Sequence, residues 1–260
     1  MRRLTLLGTG TSFGVPQIGC ECAVCRSTDP RDRRHRTAAL LEADGATILI
    51  DTPPELRIQL LAANPPRLDA VLFTHEHADH VAGIDDLRMF SVRQRAPLPV
   101  FANRPTAAFL KDSYRYIFDD DVVPIPGTSK PRLALTAIEA GRPFTIAGID
   151  VLPLGFSHGT TEVLGFRFGP IAYVTDVKAV PPAAREALQG LDLLVLNALW
   201  WRSHPTHQSI PEAIEAARQI GARRTILTHL THETGHAELA ARLPPGVEPG
   251  YDGMTLEITT

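Results

Sequence analysis

Short apolar runs recur along the chain, each stopped by glycine, proline or a polar cluster, and helically spaced apolar residues fill several gaps between them. The first run, residues 1–8, reads as a strand. Residues 37–43 and 46–51 read as two strands joined across Asp44-Gly45, a hairpin turn pair. Pro53-Pro54 breaks the chain, and residues 55–63 carry Leu56, Leu60 and Leu61 at helical spacing. The run Ala70-Val71-Leu72-Phe73 reads as a buried strand over 69–73, followed by a helix from Asp79 through Ile84, Leu87 and Phe90. A strand over 97–101 and a helix over 106–118, closed by Asp119-Asp120-Asp121, end this half. The second half repeats the rhythm, with strands over 133–138, 149–154, 163–168, 171–175, 191–196, 225–227 and 254–258. Helices are predicted over 182–188, 210–219 and 233–241, and Ser209-Ile210-Pro211-Glu212 is a capping box that fixes one start. Strands outnumber helices and helices interrupt both halves. The class is α/β, and two facing mixed sheets with helices outside, in one domain over 1–260, fit this order.

Composition narrows the function classes. Lys plus Arg is 26 against Asp plus Glu 29, a formal charge of −3, which is no footprint for a protein that lives on nucleic acid. No apolar run approaches the ~20 residues of a membrane helix, and the opening Met1-Arg2-Arg3-Leu4-Thr5-Leu6-Leu7-Gly8 is too short and glycine-interrupted for a signal peptide. A cytoplasmic protein is the expectation. All three cysteines, Cys20, Cys22 and Cys25, lie close together, so disulfides would leave one thiol unpaired. The basic stretch 29–36 reads as an exposed loop, and Gly8-Thr9-Gly10 as a tight turn that lets backbones approach.

The chemistry concentrates in Thr74-His75-Glu76-His77-Ala78-Asp79-His80, where a strand end gives way to a loop and a helix start. His75, His77, Asp79 and His80 offer the imidazole nitrogens and carboxylate that divalent metals take. Four donors in six residues exceed what one metal that must also hold substrate can use, so two adjacent metals are the natural reading. Three later apolar runs also end in a donor: His158 after 151–157, Asp176 after 171–175 and His229 after 225–228. Cys20, Cys22 and Cys25 lack a fourth donor for a tetrahedral zinc. The spare histidines are His35, His204, His207, His232 and His236, of which His232, three residues after His229, is the choice.

The pattern His-x-His-x-Asp-His resembles the signature of the metallo-β-lactamase superfamily. The resemblance implies an αββα sandwich, with one metal on His75, His77 and His158, another on Asp79, His80 and His229, and Asp176 bridging the pair. Gly-Cys-x-Cys-x-x-Cys at 19–25 and Thr-His-x-x-His at 228–232 extend the likeness to the cyclic phosphodiesterase family of carbon–phosphorus lyase pathways. So do Gly14-Val15-Pro16 and Gly250-Tyr251-Asp252-Gly253-Met254; residues 97–145 carry no matching motif. That family implies two active-site divalent ions, manganese or zinc, one structural zinc, and a small cyclic phosphate as substrate. Hydroxide generated between the metals and oriented by Asp79 and Asp176 would attack phosphorus. His207, just before a helix start, matches a family histidine that acts as general acid or phosphate holder; His204 has no counterpart. The pyrroloquinoline quinone biosynthesis family resembles the N-terminal part too, but the intact metal motif argues against a degenerate site of that kind. Competing readings are a transfer-RNA 3′-processing endonuclease, a thioesterase or lactonase on the same metals, and a non-catalytic metal-binding protein. Oligomeric state is open, a homodimer among the options.

Overall fold

The computed structural model describes residues 2–258. The first half runs β1 (Arg2–Gly8), β2 (Ala38–Ala43), β3 (Ala46–Ile50), α1 (Leu56–Ala63), β4 (Ala70–Leu72), α2 (Ala78–Val81), α3 (Arg88–Gln94), β5 (Leu98–Ala102), α4 (Arg104–Ser113), α5 (Arg115–Phe118) and β6 (Leu133–Ala137). The second runs β7 (Phe144–Ile146), β8 (Ile149–His158), β9 (Thr161–Phe168), β10 (Ile171–Val174), α6 (Pro182–Ala187), β11 (Leu193–Asn197), α7 (Ile210–Ile220), β12 (Arg224–Thr228), α8 (His236–Arg242), β13 (Val247–Pro249) and β14 (Thr255–Ile258).

These strands form two sheets of seven, ordered β14-β1-β2-β3-β4-β5-β6 and β13-β12-β11-β10-β9-β8-β7. Each sheet is mixed. β14 to β3 pair antiparallel and β3 to β6 parallel, while β7 to β10 pair antiparallel and β10 to β13 parallel. Leu4, Leu6, Ile48, Ile50 and Leu72 of one sheet meet Phe166, Phe168, Tyr173, Val195 and Ile226 of the other in a central core. Intervening residues face outward: Leu49, Val71 and Phe73 pack under α1, α3 and α4, and Leu194, Leu196 and Leu227 under α6, α7 and α8. With both faces covered, the inner strands read as continuous apolar runs rather than alternating ones. The layers are therefore the expected αββα sandwich.

Several local expectations change. The helix drawn from Asp79 through Phe90 is three short pieces, α2, a 3₁₀ turn over Ile84–Leu87 and α3. The helix drawn over 106–118 starts two residues earlier, where Asn103 caps it by accepting from the Thr106 N–H, and it breaks at Tyr114. The last helix starts at His236 rather than Glu233, and β7 and β13 were not legible. Residue 1 of the first strand lies outside the described residues.

The stretch 29–36 is not a plain exposed loop. Asp29 caps a 3₁₀ turn over Pro30–Asp32, and Arg34 is buried, donating to Thr9 Oγ1 at 2.9 Å and to the Gly250 carbonyl at 2.6 Å. Partners elsewhere in the chain make this burial affordable for a charge that sequence alone assigns to solvent. The glycine-rich turn does admit a close approach, since a Cβ on Gly8 would meet the Arg36 carbonyl at 2.0 Å. Among the described residues no helix is long and apolar enough to cross a membrane.

Candidate metal centre

The donors converge because the strands that carry them end at one edge of the sandwich. β3, β4, β10 and β12 release Asp51, the 74–80 loop, Asp176 and His229 at their carboxyl ends, and β8 ends on His158. Open parallel sheets place ligand sites at these strand ends. The Leu164 N–H donates to the Thr74 carbonyl at 2.9 Å, joining the two sheets there. Asp51, Asp176 and His229 all take left-handed backbone conformations, with φ of 64°, 58° and 58°. Such strain in non-glycine residues collects at functional sites and persists only where the surroundings enforce it.

His75, His77 and His158 form one group whose ligand atoms lie within 4.8 Å of one another; His75, His80 and Asp176 form a second, and His158, Asp176 and His207 a third. His75 Nε2 faces His77 Nδ1 at 3.0 Å. Asp79 joins through His80, 3.4 Å from its Nε2, and His229 joins through Asp176, with Nε2 3.1 Å from Oδ1. The other Asp176 oxygen, Oδ2, is 3.3 Å from His80 Nε2, so this carboxylate faces both halves of the cluster. His207 lies within the group rather than in an outlying loop: its Nε2 is 3.0 Å from Asp176 Oδ1, and its ring stacks on His229 at 4.9 Å.

Each buried imidazole is held by its other nitrogen. His80 Nδ1 is 2.7 Å from Asp51 Oδ2, His229 Nδ1 is 3.1 Å from Thr37 Oγ1, and His158 Nδ1 is 3.2 Å from the Thr206 carbonyl. Outer partners of this kind fix the tautomer and aim the free nitrogen inward. Burial drives the His229 imidazole down to about 4, and burial with the neighbouring His80 drives His75 well below the ordinary range. Both are thus kept in the neutral form that binds metal.

The donor set fits divalent cations. His80 Nε2 is fully buried without a hydrogen-bond partner and faces two carboxylates, an arrangement that a cation would complete. Every donor is nitrogen or oxygen, which suits zinc and manganese alike.

A second group is separate. His232 Nδ1 lies 3.3, 3.4 and 3.4 Å from the sulfurs of Cys20, Cys22 and Cys25. The corresponding edge of a tetrahedral zinc with three thiolates and one imidazole is about 3.5 Å. Of the five spare histidines, His232 is the one in this group. Sequence reasoning did not single out Asp51, Thr37 or Thr74 as site residues. The one available signal was that Asp51, like the ligands, follows an apolar strand run.

A family model for the β-lactamase superfamily domain matches residues 46–230. An octanoyltransferase of Porphyromonas gingivalis is 43% identical over 255 residues, covering 97% of this chain but 51% of that protein, so the chain spans about half of that relative's length. The crystal structure of a new diphosphatase from the PhnP family is 39% identical, with a TM-score of 0.91 over 98% of this chain and 97% of the other. Zinc-bound PqqB of Methylobacterium extorquens shares the fold at 20% identity, with a TM-score of 0.79 over 98% of this chain and all of its own.

Proposed function

We propose that this chain, which belongs to the metallo-β-lactamase superfamily, is a metal-dependent hydrolase, and more narrowly a phosphodiesterase acting on a small cyclic phosphate such as 5-phosphoribosyl 1,2-cyclic phosphate. The observation that carries this reading is Asp176, an acidic residue with one oxygen toward His229 and His207 and the other toward His80. A carboxylate facing two nitrogen clusters, with no thiolate among them, suits a paired-cation site for phosphoryl oxygens. The 39% identity to a PhnP-family diphosphatase along nearly the whole chain supports phosphorus as the reacting centre.

In this reading His75, His77 and His158 would hold one cation and Asp79, His80 and His229 the other, with Asp176, which faces both groups, available to the pair. When bound, the cations supply Lewis acidity toward phosphoryl oxygens and lower the pKa of water. Asp79 and Asp176 would accept hydrogen bonds from a water held there and so orient it. Thr37, Asp51 and the Thr206 carbonyl keep the imidazoles in register, so that little reorganisation accompanies the reaction. His207, 12% exposed at its side chain, stands between Asp176 and solvent and gives a proton to the departing alkoxide. Cys20, Cys22, Cys25 and His232 would hold a zinc that fixes the loop beside the site.

A second reading, a thioesterase, draws on the 43%-identical octanoyltransferase, a protein about twice as long as the stretch matched here. The net charge of −3 stands against a transfer-RNA endonuclease. The test is a panel assay on metal-supplemented protein: phosphoribosyl cyclic phosphate, 2′,3′-cyclic nucleotides, bis-p-nitrophenyl phosphate and an octanoyl thioester. Turnover of the cyclic phosphates well above that of the thioester supports the proposal, and the reverse order overturns it.

A further inference from the structure

His75 and His77 stand on the 74–80 loop and His158 ends β8, so their spacing depends on what holds that loop against the β8–β9 hairpin. One tie is the Leu164 N–H, which donates to the Thr74 carbonyl. The start of α4 supplies two more. β5 pairs beside β4, with Val71 opposite Val100 and Leu72 opposite Phe101, so Asn103 emerges at the edge where the 74–80 loop does. Ala107 and Leu110 then fix α4 on the outer face of the sheet.

His75 Nε2 faces His77 Nδ1, but the residue between them reaches α4 instead. Thr106 Oγ1 donates to Glu76 Oε2 at 2.9 Å. Thr106 is fully buried, and its N–H donates to Asn103 Oδ1 at 2.9 Å, the cap of the helix. The other end of the Asn103 amide, Nδ2, donates to the Glu162 carbonyl at 3.2 Å. Glu162 stands opposite Ser157, and the next pair along the hairpin is His158 with Thr161. One buried helix start therefore touches both the loop that bears two of these histidines and the hairpin that bears the third. The other group is held from elsewhere, by Asp51 behind His80 and Thr37 behind His229.

We propose that Glu76, Thr106 and Asn103 are positioning residues that set the spacing of His75, His77 and His158, and through it the affinity of one active-site cation and not the other. The inference rests on the paired-cation reading of the site. It gives a role to two residues in the stretch 97–145, where the sequence shows no motif. What the brace requires is a hydroxyl donor at 106, an acceptor oxygen at 76 and an amide donor at 103; a charge at 76 is not needed.

The test is release of metal from the full, metal-loaded chain into a graded series of chelator, with metal per chain counted by mass spectrometry. Thr106→Val and Glu76→Ala each weaken one active-site equivalent by roughly tenfold or more and leave the other within about twofold, the lower end of what loss of an outer partner does. Thr106→Ser and Glu76→Gln, which keep the hydroxyl and the acceptor oxygen, stay close to the wild type. Asn103→Asp keeps the helix cap but loses the donor to Glu162, and it weakens the same equivalent. The double variant of Glu76→Ala with Thr106→Val is no weaker than either alone, because both remove one contact. Equal weakening of both active-site equivalents, weakening of neither, or a loss in Glu76→Gln as large as in Glu76→Ala overturns the brace. Any of these in a wild type that holds its active-site pair leaves the paired-cation reading standing. A wild type that holds no such pair overturns that reading and the brace with it.

Discussion

Asp51→Asn is the substitution through which the outer shell of the metal centre is best tested. The Asp51 carboxylate is fully buried and accepts three hydrogen bonds: from Thr74 N–H at 2.8 Å, Thr74 Oγ1 at 2.8 Å and His80 Nδ1 at 2.7 Å. With a cation in place, the last of these would keep the His80 proton on Nδ1 and leave the Nε2 lone pair to the metal, on the side of Asp79 and Asp176. Asparagine has the same shape but one oxygen. If its NH₂ faces His80, the imidazole must accept there, and its proton moves to Nε2, where it blocks a metal. If the NH₂ faces the other way, it opposes the Thr74 N–H, and two buried donors are left in contact. Loss of an outer partner of this kind typically costs 10–100-fold in metal affinity or activity. That range is about 1.4–2.8 kcal/mol. The assay is competition for the active-site metal against a chromophoric chelator, with the thiol group left intact. A variant that holds this metal as tightly as the wild type, with unchanged turnover, would refute the reasoning about the tautomer.

His207→Ala should lower phosphodiester turnover by roughly 10²–10⁴-fold while bound metal, measured by mass spectrometry, stays near the wild-type level; metal loss matching that of His77→Ala would make His207 a ligand instead. Cys22→Ser should release one metal equivalent and lower Tm by several degrees, since it opens the group that ties the loop at 17–25 to His232. An unchanged Tm would mean that the group holds no metal of structural consequence. Ser209→Ala removes the capping box of α7, worth about 1 kcal/mol, so Tm should fall by roughly 2–4 °C. His35 gains a partner in Asp252, 3.0 Å away, and is held above its ordinary value chiefly by that hydrogen bond. Its contribution to stability is therefore full below about pH 6.5 and fades as pH rises through the folded-state value. His35→Gln should flatten that decline in a denaturant series from pH 6 to 9, and an unaltered slope would discount the pair.

The convergence of the candidate ligands was legible because chemistry and topology write the same pattern. A strand buried on both faces appears as an unbroken apolar run, and a donor directly after it stands at the sheet edge. Asp176 and His229 each follow that rule, and the 74–80 run states it most densely, whereas His158 closes a strand of alternating burial. The choice of His232 for the thiol group followed from its offset from His229. The outer shell was harder to read. Asp51 meets His80 across 29 positions and Thr37 meets His229 across 192, and no local period reports such distances. Arg34 was misread for the same reason, because the Gly250 carbonyl that helps bury it lies 216 residues away. β7 and β13, three residues each, are too short to display a period, and they stand at sheet edges where pairing rather than sequence defines them. The break between α4 and α5 at Tyr114 has no proline or glycine to announce it.

The central claim is that two cations sit side by side at this edge of the sandwich, with Asp176 shared between them. Metal stoichiometry tests it most directly, by elemental analysis of purified, metal-supplemented wild type alongside Cys22→Ser and Asp176→Ala. Three equivalents per chain are expected in the wild type, two after loss of the thiol group, and a fall of at least one on loss of Asp176. A wild type that carries a single equivalent, abolished by Cys22→Ser and indifferent to Asp176→Ala, would contradict it.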